Sequence, residues 1–153
     1  MLMLLLPCVI IKIVHAKIAH AKIVNVLLKI LVYVVRAKVS GTKIKKCAAA
    51  ALANTSLTSV YTCPVNFTAV IKEVWVTNID GSSAANITLQ WTDTSASTTY
   101  DLLSTFSIAA DNYLQLNSTY IVLEAGDVFK AQASAANDLT VSLFIQEELK
   151  GTG

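Results

Sequence analysis

Apolar and polar side chains alternate along most of the chain after residue 54, which is the pattern of strands with one buried face. The clearest alternation lies at 86–92, where Ile87, Leu89 and Trp91 fall on one side and Asn, Thr and Gln residues fall on the other. In the last predicted strand the alternation leaves Phe144 outward and predicts an inward row of Leu139, Val141, Leu143 and Ile145. Each such strand has one face for a core and one for solvent or a partner.

Turn-forming residues divide the region from 54 to 148 into seven or eight strands. Turns are predicted at 79–82, 110–112, 117–118, 125–127 and 136–138, where Gly, Asn, Asp and Ser gather. The predicted strands are 58–62, 67–78, 86–92, 99–108, 113–116, 120–124, 128–134 and 139–146. No helical periodicity follows Ala53, so the sheets are expected to be antiparallel. The pattern predicts an all-β antiparallel sandwich, either a jelly roll or an immunoglobulin-like sandwich.

The first 46 residues have a different texture, rich in Ile, Val, Leu, Ala and Lys. One helical stripe is basic, because four residues recur every seven positions: His15, Lys22, Lys29 and Arg36. The remaining helix surface is apolar, and we interpret the segment as a basic amphipathic extension that is helical in part. The apolar run at 1–11 ends at Lys12, too early for a membrane span, and the charges follow it, which is the wrong order for a signal peptide.

Three roles remain open for this extension. It could be a helix at a membrane surface, although membrane contact is disfavoured, or a basic arm that docks on an acidic surface or nucleic acid. It could also be a translated upstream stretch without an evolved role. The third role is favoured because the β region needs nothing from the extension, and nucleic-acid binding is disfavoured because Tyr33 is its one aromatic residue.

Charge separates the same two segments. The first 46 residues hold nine of the twelve Lys and Arg residues and no Asp or Glu, whereas the remainder holds three lysines and all ten acidic residues. The net charge of +2 therefore hides two oppositely charged parts. We predict an N-terminal extension at 1–46 and a β-sandwich domain at 47–153.

The cysteines have no metal-ligand spacing, since no C-x-x-C occurs among Cys8, Cys47 and Cys63. Reduced thiols in a cytosolic protein are the favoured interpretation. A bridge between Cys47 and Cys63 is the alternative.

The β region lacks the residues that most catalytic sites need. It contains no histidine, which removes Ser-His-Asp and Cys-His arrangements, and no phosphate-binding glycine loop. Its carboxylates lie mostly at turns, where they usually accept hydrogen bonds from local backbone, and no calcium loop is present. We expect a protein that is not an enzyme, with no catalytic residue, no cofactor and no metal site.

Four segments resemble a group of small structural proteins of tailed bacteriophages: NTSLTSVYTCP at 54–64, VWVTNIDGS at 74–82, TLQWTD at 88–93 and VLEAGDVFKA at 122–131. The resemblance covers about residues 39–148 and implies a β-sandwich found on virions as head decoration or as a neck or tail component. It further implies self-association, contact with other virion proteins, no small-molecule substrate and assembly in the host cytoplasm. The basic extension departs from that pattern.

The candidate partner contacts are outward aromatic residues, namely Tyr100, Tyr113 and Phe144. In a virion protein these side chains would be buried between neighbours. The rival interpretation is a glycan-binding or adhesive module, in which the same rings would stack on sugars.

Overall fold

The computed structural model describes residues 22–25, 27–29 and 41–150. The chain divides into two units at Val39 and Ser40, and each is considered by itself. Residues 22–25 and 27–29 are helical, in agreement with the predicted amphipathic segment, and His15 and Arg36 of its basic stripe lie outside the described residues. Within the described part of the chain, no helix has the length and apolar character needed to span a bilayer.

The second unit consists of eight strands: β1 Lys43–Ala51, β2 Thr58–Thr62, β3 Phe67–Asn78, β4 Ala85–Asp93, β5 Thr98–Ile108, β6 Tyr113–Leu123, β7 Val128–Ala133 and β8 Leu139–Leu149. The first sheet has the order β1-β8-β3-β6, and the second sheet has the order β2-β7-β4-β5. Every neighbouring pair is antiparallel. The all-β antiparallel sandwich that the sequence predicts is confirmed.

One apolar core lies between the two sheets. The predicted inward row of β8 is buried, with each of its four side chains at most 3% exposed. The second sheet contributes Ile87, Leu89 and Phe129, all fully buried, to the same cluster. Trp91 packs against this cluster at its margin. Alternation along the strands therefore builds the core, and each sheet keeps a second face outside it.

The strands pair from the ends of the domain inward. β1 pairs with β8, β2 with β7, β3 with β6, and β4 with β5. The domain thus has the connectivity of one long hairpin whose two arms are folded over into two sheets. This brings the first and last strands together in the first sheet, where β8 lies between β1 and β3.

The predicted turn at 117–118 is wrong, because β6 runs without interruption through it. Asn117 pairs with Glu73 and Ile121 pairs with Ile71, so three residues of β6 lie opposite Lys72. The polar residues that suggested a turn instead form a bulge, which interrupts the ladder and lets the strand continue.

Strand β1 is absent from the predicted elements, and it begins four residues before the expected boundary between Lys46 and Cys47. Its lysines resembled the basic extension more than a strand. β1 is an edge strand whose residues are mostly exposed, so lysines are tolerated there and even protect the edge from unwanted pairing.

Two buried polar residues fix the loops at opposite ends of the sandwich. The Asn78 side chain donates to the carbonyls of Ser83 and Ile108 and accepts from the Asp80 amide. The Asp127 carboxylate accepts from the amides of Thr94 and Glu124. As expected of carboxylates in turns, Asp127 satisfies backbone donors that would otherwise be buried without partners.

A polar cluster joins the two sheets beside β1. The Tyr61 hydroxyl on β2 donates to Glu147 Oε1 on β8 at 2.8 Å, and Lys46 Nζ on β1 lies 3.2 Å from the same oxygen. Burial, followed by the hydrogen bond to Glu147, raises the pKa of Tyr61 well above its usual range. This cluster, Lys46–Tyr61–Glu147, binds an edge strand of each sheet to β8.

The core assignment predicts unequal effects of two substitutions on β8. Leu143→Ala should lower the free energy of unfolding by about 2–5 kcal/mol, because it leaves a cavity in the interior. Ser142→Ala, on the outward side of the same strand, should change it by less than about 0.5 kcal/mol. Urea denaturation measures both values, and equal losses would contradict the assignment of inward and outward faces.

The polar cluster predicts a stability loss at alkaline pH. Because the pKa of Tyr61 is raised in the folded state, its contribution is complete below the unfolded pKa of about 10 and is lost as pH rises above that value. Tyr61→Phe should cost about 1 kcal/mol at pH 7 and should flatten this alkaline loss.

The measurement is urea denaturation of the wild type, Tyr61→Phe and a control variant, Tyr120→Phe, from pH 7 to pH 11. Tyr120→Phe is the matched control, because the Tyr120 ring is 70% exposed and its loss of a hydroxyl should leave the alkaline slope unchanged. A Tyr61→Phe protein as alkali-sensitive as the wild type would refute the role of this hydroxyl.

Candidate interaction surface

The two outer faces of the sandwich differ in chemistry. On the second sheet, the outward side chains of the central strands β4 and β7 are polar apart from Val128: Asn86, Thr88, Gln90, Thr92, Lys130 and Gln132. Tyr100 and Phe106 on the neighbouring β5 pair with Trp91 and Ile87. Those partners point towards the core, so the two exposed rings lie at the open edge of the sandwich and not on its outer face.

The first sheet has an aromatic outer face. We define the aromatic face by its outward apolar residues: Val70, Trp75, Tyr113, Tyr120, Val122 and Phe144. Tyr120 is 70% exposed, Tyr113 55% and Phe144 42%, although all three lie in strands, and Phe144 stands between the buried Leu143 and Ile145. A group of large apolar side chains on one sheet face is unusual for a surface that meets only water.

A bulge in β3 enlarges this face. Ile71 and Val74 both point into the core, so Lys72 and Glu73 between them both point outward. Glu73 Oε1 accepts a hydrogen bond from Trp75 Nε1 at 2.7 Å and another from Gln115 Nε2. The carboxylate therefore holds the indole in place against the sheet.

Stacking and a cation–π contact restrain the aromatic side chains. The rings of Trp75 and Tyr113 lie 5.0 Å apart at 23°, and Lys72 Nζ lies 4.1 Å from the centre of the Tyr120 ring. Rigid aromatic side chains lose little conformational entropy on binding, which is why they are common at the centres of protein interfaces.

A groove opens beside Phe144 where β1, β8 and β3 meet. Its volume is about 390 Å³, and it is lined by Lys45, Lys46, Cys47, Lys72, Phe144, Ile145 and Gln146. Register explains this composition, because Cys47 pairs with Phe144 and Lys45 with Gln146 across the β1 and β8 ladder. The groove thus combines apolar side chains with three lysines.

The structure brings together two of the three candidate contacts. Phe144 and Tyr113 both lie on the aromatic face, whereas Tyr100 lies on β5 in the second sheet, with its ring 5.4 Å from Trp91. Sequence reasoning missed Trp75, Tyr120 and Val122. The reason is the bulge, which breaks the period of two in β3 and β6. Alternation in the sequence therefore does not show which residues of these strands share a face.

The cysteines of the β domain are separate thiols. Cys47 is exposed and Cys63 is buried, and both are free. Burial is the main cause that raises the pKa of Cys63, which disfavours a reactive thiolate there. In the described ranges, no group of three or more His, Cys, Asp or Glu side chains is placed to hold a metal ion.

No protein-family model matches the chain, and no curated protein matches it. Among solved structures, the chain is similar to a capsid structure of Helicobacter pylori bacteriophage KHP30, with 15% identity over 71% of this chain and 92% of that one and a TM-score of 0.44. A cyanophage Pam1 capsid chain gives 16% identity, 72% and 86% coverage and a TM-score of 0.40. A Bacillus endospore appendage of a disulfide-linked pilus family has 12% identity over 72% of this chain and 89% of that one, with a TM-score of 0.44. Its structural neighbours at low identity thus include phage capsid proteins and pili.

Proposed function

We propose that this protein is a non-catalytic virion structural protein of a tailed phage that decorates or stabilises the capsid by self-association and by contacts with the shell. The observation that carries the proposal is the contrast between the two outer faces. The first sheet presents the aromatic face, and the central strands of the second sheet present polar side chains.

Burial of the aromatic face between neighbouring subunits would remove its rings from water. Each square ångström of apolar surface buried contributes about 25 cal/mol, so several aromatic rings together supply a large gross stabilisation. The polar face would remain hydrated. A module with one apolar and one polar face suits a layer in which one side is covered by neighbours and the other meets solvent.

We further propose that the domain is a jelly roll, the double Greek key arrangement of eight strands that occurs in capsid proteins. The nested pairing of β1 with β8 through β4 with β5 supports this assignment. The immunoglobulin-like alternative would place its strands in the order ABED and CFG, which differs from the order observed.

Two alternatives remain to be separated from capsid decoration. A neck or tail component would use the same aromatic face in another part of the virion. A glycan-binding or adhesive module is supported by the exposed, stacked rings of Tyr100 and Tyr113, which are the kind of surface on which sugar rings stack. Immunogold labelling of virions separates the first alternative, and a glycan array separates the second.

The proposal predicts concentration-dependent self-association that depends on Phe144. In sedimentation velocity, the full-length wild type should form oligomers, and Phe144→Ser should weaken them about tenfold or more, as is usual for a buried aromatic anchor. Phe106→Ser is the matched control, because Phe106 is 43% exposed and Phe144 42%, and Phe106 lies at the edge of the other sheet.

The proposal would be refuted by a wild-type protein that is monomeric at all concentrations and binds no virion component. Equal weakening by the two phenylalanine variants would contradict the assignment of the aromatic face. Specific sugar binding on the array, lost in Tyr113→Ala or Tyr100→Ala, would favour the adhesive module instead.

A further inference from the structure

Charge is distributed unevenly over the surface of residues 41–150. This region contains six lysines and all ten acidic residues, so it is acidic overall. Three of its lysines line the groove beside Phe144: Lys45, Lys46 and Lys72. Half of the lysines of an acidic domain thus line one apolar groove, and the charge of this groove is opposite to that of the acidic parts of the same surface.

Two of the three groove lysines remain electrostatically available. Lys46 forms an ion pair with Glu147, and this is the sole ion pair among the residues the structure describes. Lys45 is exposed, and the Lys72 ammonium lies over the Tyr120 ring, which does not neutralise its charge. Glu73 forms no ion pair with either lysine in the described residues; its Oε1 accepts hydrogen bonds from Gln115 and Trp75 on the side of β6, and its side chain is not part of the groove.

One end of the sandwich is acidic and carries an apolar side chain. Its loops, 51–57, 79–84, 109–112 and 134–138, contain Asp80, Asp111 and Asp138 and no Lys, Arg or His. Backbone hydrogen bonds hold three of these loops together, from the Asp111 amide to the Asp80 carbonyl at 3.1 Å and from the Ile79 amide to the Asp138 carbonyl at 2.7 Å. Ile79 belongs to the same group of loops, and its side chain is 57% exposed.

Asp80 is held in its charged form by its neighbours. Hydrogen bonds from the Ser82 hydroxyl and amide to Asp80 lower the pKa of that carboxyl. This end combines an exposed apolar side chain with acidic residues, and the groove combines apolar residues with lysines, so the two surfaces are complementary in charge.

We propose that the acidic end of one copy, with Ile79 as its apolar anchor, docks into the lysine-lined groove beside Phe144 on a second copy. This inference rests on the self-association proposed above and names the surface that meets the aromatic face. Ile79 would contact the apolar side chains of the groove, and Asp138 and Asp111 would approach Lys45 and Lys72.

The two surfaces lie at different places on the domain, so the contact is heterologous. Such contacts repeat from subunit to subunit and close into a ring when the rotation fits, or extend as a filament when it does not. Either geometry suits a protein that covers a repeating surface. A two-fold dimer would instead join the same patch on both copies.

Charge reversal on the full-length chain tests the inference. Lys45→Glu and Asp138→Lys are suitable because neither side chain makes a hydrogen bond or ion pair in the described part of the structure. Each single variant should weaken self-association about tenfold or more in sedimentation velocity, since close charges of like sign would meet across the contact. The double variant should recover wild-type association, because the two charges are exchanged.

Lys130→Glu is the matched control, because it makes the same charge change on the second sheet. It should leave association at the wild-type level, and thermal unfolding should confirm that all variants are folded. If the wild type associates but Lys45→Glu and Asp138→Lys behave like Lys130→Glu, or if the double variant fails to recover, the docking inference is wrong and self-association stands. A monomeric wild type would overturn the proposed function itself.

Discussion

The structure depends on the burial of one face of each sheet in a shared interior. Side chains on a strand alternate between two faces, so when one set of residues fills the core, the residues between them must lie on the outer face. On β8, the four buried side chains from Leu139 to Ile145 place Phe144 on the opposite face. A change of register by one residue would exchange these two sets, and the apolar core therefore fixes the composition of the outer surfaces as well.

The proposed function follows from what this constraint leaves outside the core. The first sheet retains rings such as Trp75 and Tyr113, stacked on each other and held by Glu73, whereas the centre of the second sheet retains threonine, glutamine and asparagine. The same register places Lys45 and Cys47 beside Phe144 and so produces the groove. The fold and the surface on which association is proposed are thus two consequences of one pattern.

The sequence predicts the fold well where alternation is regular and less well where it breaks. Six observed strands lie within a few residues of the predicted ones because turn residues separate them clearly. They are β2, β3, β4, β5, β7 and β8. Strand β1 was missed because an exposed edge strand need not alternate, and the predicted turn at 117–118 is a bulge because Asn and Ser fit both. The candidate site was found in part: Phe144 follows from alternation, but Trp75 and Tyr120 share its face only through the two-residue bulge at Lys72 and Glu73. Which strands become neighbours is a matter of long-range pairing that local patterns do not encode.

Thiol labelling as a function of protein concentration tests the central claim, that the outer face of the first sheet is buried by self-association. Cys47 is exposed and lines the groove beside Phe144, whereas Cys63 is buried in the core, and peptide mass spectrometry reports each thiol separately. Alkylation of Cys47 is expected to slow as the protein concentration rises, while Cys63 stays protected throughout. Labelling of Cys47 at one constant rate across concentrations at which oligomers form would contradict the claim.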